Sequence, residues 1–343
     1  MTGRFKPYLR TLTLVFVVLT ASVVALNYFV DPYDVFGRNR LGIYVAADRQ
    51  SKPAMIGRFP HDAVLMGTSK AAMVDTTQLE GWRFFSATFG GARVEELYYF
   101  AENHLHAAKL VVIALDYGMF ADTFPIIAED PFRNRGVSFY FPYLVELGMA
   151  RDSIQTISRH LRKRTESFRP DGSFIADKWT AAKSVPNPAL LEQLFALERA
   201  SYEKMNFSEE RMRYLEKLRD VLDSRGIPAV VVINPLHERS VKLLRASQQA
   251  PLVEAWQQRV RALFPETVDL MDSRYSAAGN FFAADPVHFK PATGVEFLNR
   301  EVLAPRKRNL NASRPPPNAL PARLRNAAQT DRRPRSEPRT THG

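Results

Sequence analysis

The chain has 343 residues, 45% of them apolar, enough to bury a substantial core without disulfide or metal staples, so one main globular domain is expected. It contains no cysteine, which excludes thiol catalysis, disulfides and cysteine-based zinc sites but specifies no compartment. The formal charge of +11 is concentrated in an Arg- and Pro-rich C-terminus, and no nucleic-acid partner is expected.

Residues 1–10 carry Arg4, Lys6 and Arg10, and residues 11–30 then run TLTLVFVVLTASVVALNYFV without a charge. At about 1.5 Å rise per residue, roughly twenty helical residues cross the ~30 Å hydrocarbon layer. A buried soluble helix of that length normally shows a polar stripe, whereas here the polar residues are Thr, Ser and one Asn near the far end. Basic residues before the span, with Asp31 and Asp34 after it, predict a cytoplasmic N-terminus and a periplasmic or otherwise extracytoplasmic body, with the lipid bilayer as a partner. The run is longer than a signal-peptide h-region of about 7 to 15 residues, and no A-x-A site ends it, so an uncleaved anchor is expected.

Residues 31–60 read as an irregular stalk leading into the domain. A short apolar run at 63–66 suits a buried strand, and 67–70 signals a strand-to-helix turn. WRFFSATF (82–89) reads as a second strand running into Gly90 and Gly91. Residues 92–107 have helical spacing, with Val94, Leu97, Tyr98 and Leu105 on one face. The continuously apolar 109–115 is a third strand of the kind covered on both faces. From about 120 to 200 the pattern weakens into an insertion of mixed helices and loops, open to being either a lid or a structural cap away from substrate. Helical patterning resumes over 207–225, followed by a strand at 228–234, a helix near 249–263, a short strand in ETVDLMD, the 285–294 segment and a closing helix. Residues 304–343, almost without aromatic or β-branched residues, read as a disordered basic tail.

Strands alternating with helices over 61–303 predict an α/β domain with a mostly parallel sheet and helices on both faces. Ligands of such sheets bind outside the carboxyl ends of the strands. That rule singles out the turn after Met66, the loop after Leu115 and the segment near Asp285.

Ser69, after a strand and a glycine in VLMGTSK, is placed to project its hydroxyl from the strand end, although serine there is also a common helix cap. In DPVHFKPATG, Asp285 and His288 stand three residues apart, so that a carboxylate can orient an imidazole whose other nitrogen faces a serine. Such pairs also occur on surfaces, bonded only to each other. His104 and His106 fall on a predicted helix, where residues two apart face different ways, so no metal is expected there. His237 after a strand and Arg93 beside the glycines are open to substrate contact or to ordinary capping and surface roles. No P-loop or G-x-G-x-x-G fingerprint is present, and no cofactor is expected.

A serine early, after the first strand, and a D-x-x-H late, before the last helix, resemble the SGNH or GDSL hydrolase superfamily. Gly67-Thr68-Ser69-Lys70 stands at its first block and Asp285-Pro286-Val287-His288 at its last, over roughly residues 60–303 outside the insertion. The resemblance implies a flavodoxin-like three-layer α/β fold, with Ser69 as nucleophile, His288 as base and Asp285 as its orienting partner. It also implies oxyanion donors after the second and third strands. Gly90 or Gly91 fits the first of these through a backbone N–H. At the second, Asp116 replaces the family's asparagine, and an ionised carboxylate cannot donate to an oxyanion. Three roles are open to Asp116: binding a sugar hydroxyl or other substrate group, staying protonated, or positioning Ser69. The departure resembles divergent members from envelope polysaccharide modification systems, often tethered by one N-terminal helix. The implied function is a membrane-anchored serine esterase or O-acetyltransferase (O-acyltransferase) acting on an acylated glycan or cell-envelope polymer, with a membrane acyl-donor protein among the partners it admits. The alternative is a catalytically silent glycan-binding or scaffolding protein of an envelope assembly complex.

Overall fold

The computed structural model describes residues 5–44, 47–106, 108–129, 132–133, 141–163, 168–175 and 177–306, with the side chains of 177–179 excepted. Residues 304–306 are helical, and the rest of the tail expected to be disordered lies outside the described residues.

The chain opens with α1 (Phe5–Val30), a helix of 26 residues that is long and apolar enough to cross a membrane, with a mean hydropathy of 2.2 over its most apolar window. It is exposed along residues 5–19, while Asn27 and Val30 near its end are buried. Next come α2 (Asp48–Ile56), β1 (Ala63–Gly67), α3 (Ser69–Ala72), β2 (Phe84–Thr88), α4 (Val94–His104) and β3 (Leu110–Leu115). The insertion contributes α5 (Phe141–Val145), α6 (Leu147–Leu161), α7 (Asp177–Ser184) and α8 (Pro188–Lys204). The chain then returns through α9 (Glu209–Ser224), β4 (Ala229–Ile233), α10 (Glu238–Arg245), α11 (Ala250–Leu263), β5 (Val268–Asp269), β6 (Phe281–Phe282), β7 (Asp285–Phe289) and α12 (Pro291–Phe297).

β1 to β5 form one parallel sheet in the order β2-β1-β3-β4-β5. Alternate residues of each strand feed two apolar layers. Val64, Met66, Phe85 and Ile113 meet α4, α9 and α11 through Leu97, Leu215 and Trp256. Leu65, Val112 and Val232 meet Tyr275, Phe297 and Val302 on the other face. Each such side chain contributes about 1.5–3 kcal/mol on burial, which is why the strands read as unbroken apolar runs. The chain leaves β1 toward one side for β2 and toward the other for β3, so a crevice opens at their carboxyl ends. Gly67 pairs with both Thr88 and Ala114, and the three loops therefore leave the sheet at one level.

One expectation changes. The segment read as an irregular stalk contains α2, whose Ser51, Lys52, Met55 and Ile56 are buried, with Met55 and Ile56 inside the main core. The packed body therefore begins before residue 61. The D-x-x-H segment stands just before the last helix, α12, as expected, and is itself β7 of a two-stranded antiparallel hairpin with β6.

Candidate active site

Gly67 ends β1 where β1 and β3 nearly touch. A Cβ there would lie 2.8 Å from the Ala114 carbonyl oxygen and 3.1 Å from the Ala71 Cβ, so only glycine lets the chain turn into α3 at this point. Thr68 caps α3, its Oγ1 accepting from the Lys70 N–H at 3.3 Å, and Ser69 becomes the first helical residue at the mouth of the crevice.

His288 reaches Ser69 from the opposite end of the chain, with Nε2 2.9 Å from Ser69 Oγ. Its Nδ1 lies 3.0 Å from Asp285 Oδ2. Residues three apart on a regular strand would face opposite sides. Here Asp285 Oδ1 accepts from the N–H groups of Val287 (2.9 Å) and His288 (3.3 Å), curling the chain so that carboxylate and imidazole meet. Directing the Nδ1 proton to Asp285 leaves Nε2 as acceptor for the Ser69 hydroxyl. Burial alone would raise the Asp285 carboxyl. His288, the Val287 N–H and the Lys183 ammonium at 3.5 Å outweigh that effect and hold it below the usual carboxylate value.

Of the two glycines after β2, Gly90 is occupied, since its N–H donates to Asp48 Oδ2 at 2.8 Å. Its carbonyl accepts from Arg49 Nη2 at 3.1 Å, and Arg49 also makes a two-point pair with Glu96. Gly91 adopts φ +61°, a Cβ on it would meet open space, and its N–H has no acceptor among the described residues. Gly91 is therefore the available donor.

Asp116 follows β3 directly. Its Oδ2 accepts from Thr68 Oγ1 at 2.6 Å, and its Oδ1 lies 2.8 Å from Lys70 Nζ in an ionic contact outside hydrogen-bond geometry. Both partners are largely buried and flank Ser69 in sequence. Among the roles left open for Asp116, this geometry is that of holding Thr68 and Lys70 on either side of Ser69.

Two cavities meet at Ser69 and Gly91. One of about 340 Å³ is bounded by Met73, Phe168, Phe174, Lys52 and His288. The other, about 440 Å³, is bounded by Lys70, Arg93, Asp116, Glu198 and Tyr202. The insertion thus borders both, through Phe168 and Phe174 on one side and α8 on the other. A larger cavity of about 520 Å³ opens at the amino ends of the strands around Leu110 and Pro228 and contains none of these groups.

The remaining candidates have other partners. His237 caps α10, its Nδ1 accepting from the Arg239 N–H at 3.1 Å, and burial lowers its pKa. His104 Nε2 meets the Phe132 carbonyl at 2.7 Å and His106 Nε2 the Asn103 carbonyl at 3.0 Å. No group of residues suited to a metal ion is present among the described residues. Arg93 donates to the Gly118 carbonyl at 2.7 Å and stacks over Phe124, while still lining the larger site cavity.

Sequence reasoning misses the α2 brace: Asp48 and Arg49 hold Gly90, and Lys52 donates to the carbonyl and hydroxyl of Thr88. The available signal is the D-R-x-x-K spacing, which sets Asp48 and Lys52 on one helical face. Compared with known proteins, the chain matches no protein-family model and no curated protein.

Proposed function

We propose that this chain is an SGNH-type serine esterase or O-acyltransferase of the cell envelope, anchored by α1 and acting on an acylated glycan or related polymer. One observation carries the reading: a serine at a strand end lies 2.9 Å from an imidazole whose other nitrogen is 3.0 Å from a buried carboxylate. Ser69 Oγ attacks the ester carbonyl carbon as its proton passes to His288 Nε2, and Asp285 stabilises the imidazolium. The oxyanion accepts from the Gly91 N–H and from the Ser69 N–H at the start of α3. Collapse expels the alcohol, which takes the proton from His288, and leaves acyl-Ser69. Water or a sugar hydroxyl then gives its proton to His288 Nε2 and attacks the acyl carbon; the Ser69 Oγ–acyl bond breaks, Ser69 Oγ recovers the proton from His288, and an acid or a new ester leaves. The apolar wall of Met73, Phe168 and Phe174 suits an acyl group, and the polar wall of Arg93, Glu198 and Tyr202 suits a glycan.

The basic residues of 1–10 favour a cytoplasmic N-terminus, with the α/β body outside. Tethering keeps the site beside membrane-linked or newly exported polymer and raises their encounter through effective concentration. The Asp116–Lys70 pair supports a second reading, a catalytically silent glycan-binding module, because a carboxylate stands where the family uses an amide donor. p-Nitrophenyl acetate hydrolysis by the detergent-solubilised full chain separates the two. The enzyme reading expects turnover that falls by about 10³-fold or more in Ser69→Ala and His288→Ala. A well-folded parent with no turnover above buffer leaves the silent module.

A further inference from the structure

The last third of α1 is not free. Asn27, fully buried, donates through Nδ2 to the carbonyls of Tyr143 (3.3 Å), Leu144 (2.9 Å) and Glu146 (3.2 Å), and accepts from Ser153 Oγ at 3.1 Å. The Tyr33 hydroxyl donates to Asp152 at 2.6 Å. These bonds fix α5 and α6 against the end of α1. Asn27 precedes that end by three residues, about 4.5 Å along the axis, so the α5–α6 junction sits where a spanning α1 would leave the hydrocarbon. At that depth carbonyls without donors are costly, and Asn27 satisfies the ones at the end of α5.

The opposite face of this pair exposes large apolar side chains among the described residues. Phe141, Val145, Leu147, Ile154 and Leu161 are each more than half exposed. Leu147, Ile154 and Leu161 recur every seven residues and so form one stripe along α6, while the face turned inward contains Ser153 and Thr156. Arg151, Arg162 and Lys163 stand exposed among the apolar residues and outnumber the one exposed carboxylate of residues 141–163, Glu146. An apolar stripe flanked by cations, on a helix packed against the exposed apolar α1, fits the headgroup boundary of an anionic leaflet.

We infer that α5 and α6 form a second membrane contact, an interfacial helix pair lying in the leaflet from which α1 emerges and favouring anionic lipid. The inference rests on α1 as a spanning helix and is independent of the chemistry at Ser69. A single span would leave the body free to swivel; two contacts fix how the crevice faces the membrane.

The absence of cysteine permits a direct test. Ile154→Cys, Leu161→Cys, Val17→Cys and Ala255→Cys, each labelled with an environment-sensitive fluorophore, are reconstituted as full chains into vesicles of phosphatidylcholine and phosphatidylglycerol. Lipids bearing a nitroxide high on the acyl chain then report contact. The expected result is a blue shift and quenching at 154 and 161, weaker without phosphatidylglycerol, and no quenching at 255 on α11. Quenching at 17 combined with none at 154 and 161 overturns the inference while leaving the anchor standing. Protection at 154 and 161 from both lipid-borne and water-soluble quenchers also overturns it, because a protein surface, either a second copy or a membrane partner, would then cover the stripe.

Discussion

Replacing Lys52 by methionine tests whether the α2 brace is built as described. The Lys52 side chain is buried, 1% exposed, and holds the last residue of β2 just before the glycine turn. Burial pushes its pKa down from the ordinary 10.5 to about 8, against the opposing pull of Asp48 and Asp171. In the unfolded chain the ammonium keeps its ordinary value. Between about pH 8 and pH 10.5 the unfolded state therefore binds the extra proton, and stability rises with pH across that window. The interval from about 8 to 10.5, at about 1.4 kcal/mol per pH unit, is worth roughly 3 kcal/mol. Methionine does not titrate and removes this rise. It also deprives the Thr88 carbonyl of a donor, costing about 1–3 kcal/mol, which largely offsets the relief of the buried charge at pH 7. The pH slope is therefore the diagnostic quantity, and the stability at neutral pH is not. Urea unfolding of parent and variant in one detergent, repeated across the window, gives a difference in which the other titrating side chains cancel. The parent should gain roughly 3 kcal/mol on the variant from the lower to the upper end. Parallel curves would refute a desolvated ammonium at this position.

Asp285→Asn should cut turnover by about 10⁴-fold without unfolding the chain, because the amide directs an N–H at Nδ1 and imposes the wrong imidazole tautomer. Steady-state rates and a thermal melt read both effects, and a rate within about tenfold of the parent would contradict the proposed role of Asp285 in orienting His288. Arg211→Met should destabilise by about 3–5 kcal/mol, since it strands fully buried Glu95 and releases the carbonyls of Ala121, Phe124 and Pro125. Adding Glu95→Gln should recover part of that loss in the same urea experiment; strict additivity would mean that the two charges are not coupled. Gly67→Ala should lower both stability and turnover, because its Cβ would lie 2.8 Å from a backbone carbonyl that β3 holds in place.

The parallel sheet is legible in the sequence because β1, β2, β3 and β4 are covered on both faces and consequently read as continuous apolar runs. The helices α4, α9 and α11 show their core faces at helical spacing. α2 escapes that logic, because Asp48, Arg49 and Lys52 grip backbone groups of the 88–90 turn and Pro53 lies within the helix. α6 lies in the insertion where the pattern weakens, and its apolar stripe does not mark a core face. Its inward face pairs Ser153 with Asn27 of α1, while Leu147, Ile154 and Leu161 face outward. Ser69 and Asp285 both lie within hydrogen-bond reach of His288. Only the resemblance of their two blocks to a known superfamily implies that meeting, since nothing in the spacing along the chain brings Ser69 to the late pair. The choice of Gly91 over Gly90 depends on Asp48, which no local pattern connects to the glycines. Nor does any local pattern pair Asp116 with Lys70, which are brought together only by the alignment of β1 and β3.

In the proposed reaction the Ser69 hydroxyl, activated by His288, is the nucleophile. The most direct test of that role is treatment of the solubilised full chain with a fluorophosphonate, followed by trypsin and mass spectrometry of the peptide spanning residues 59–70. A single adduct on Ser69, absent in His288→Ala and strongly slowed in Asp285→Asn, is the predicted result. An unmodified peptide from folded parent protein, or an adduct formed equally in His288→Ala, would contradict it.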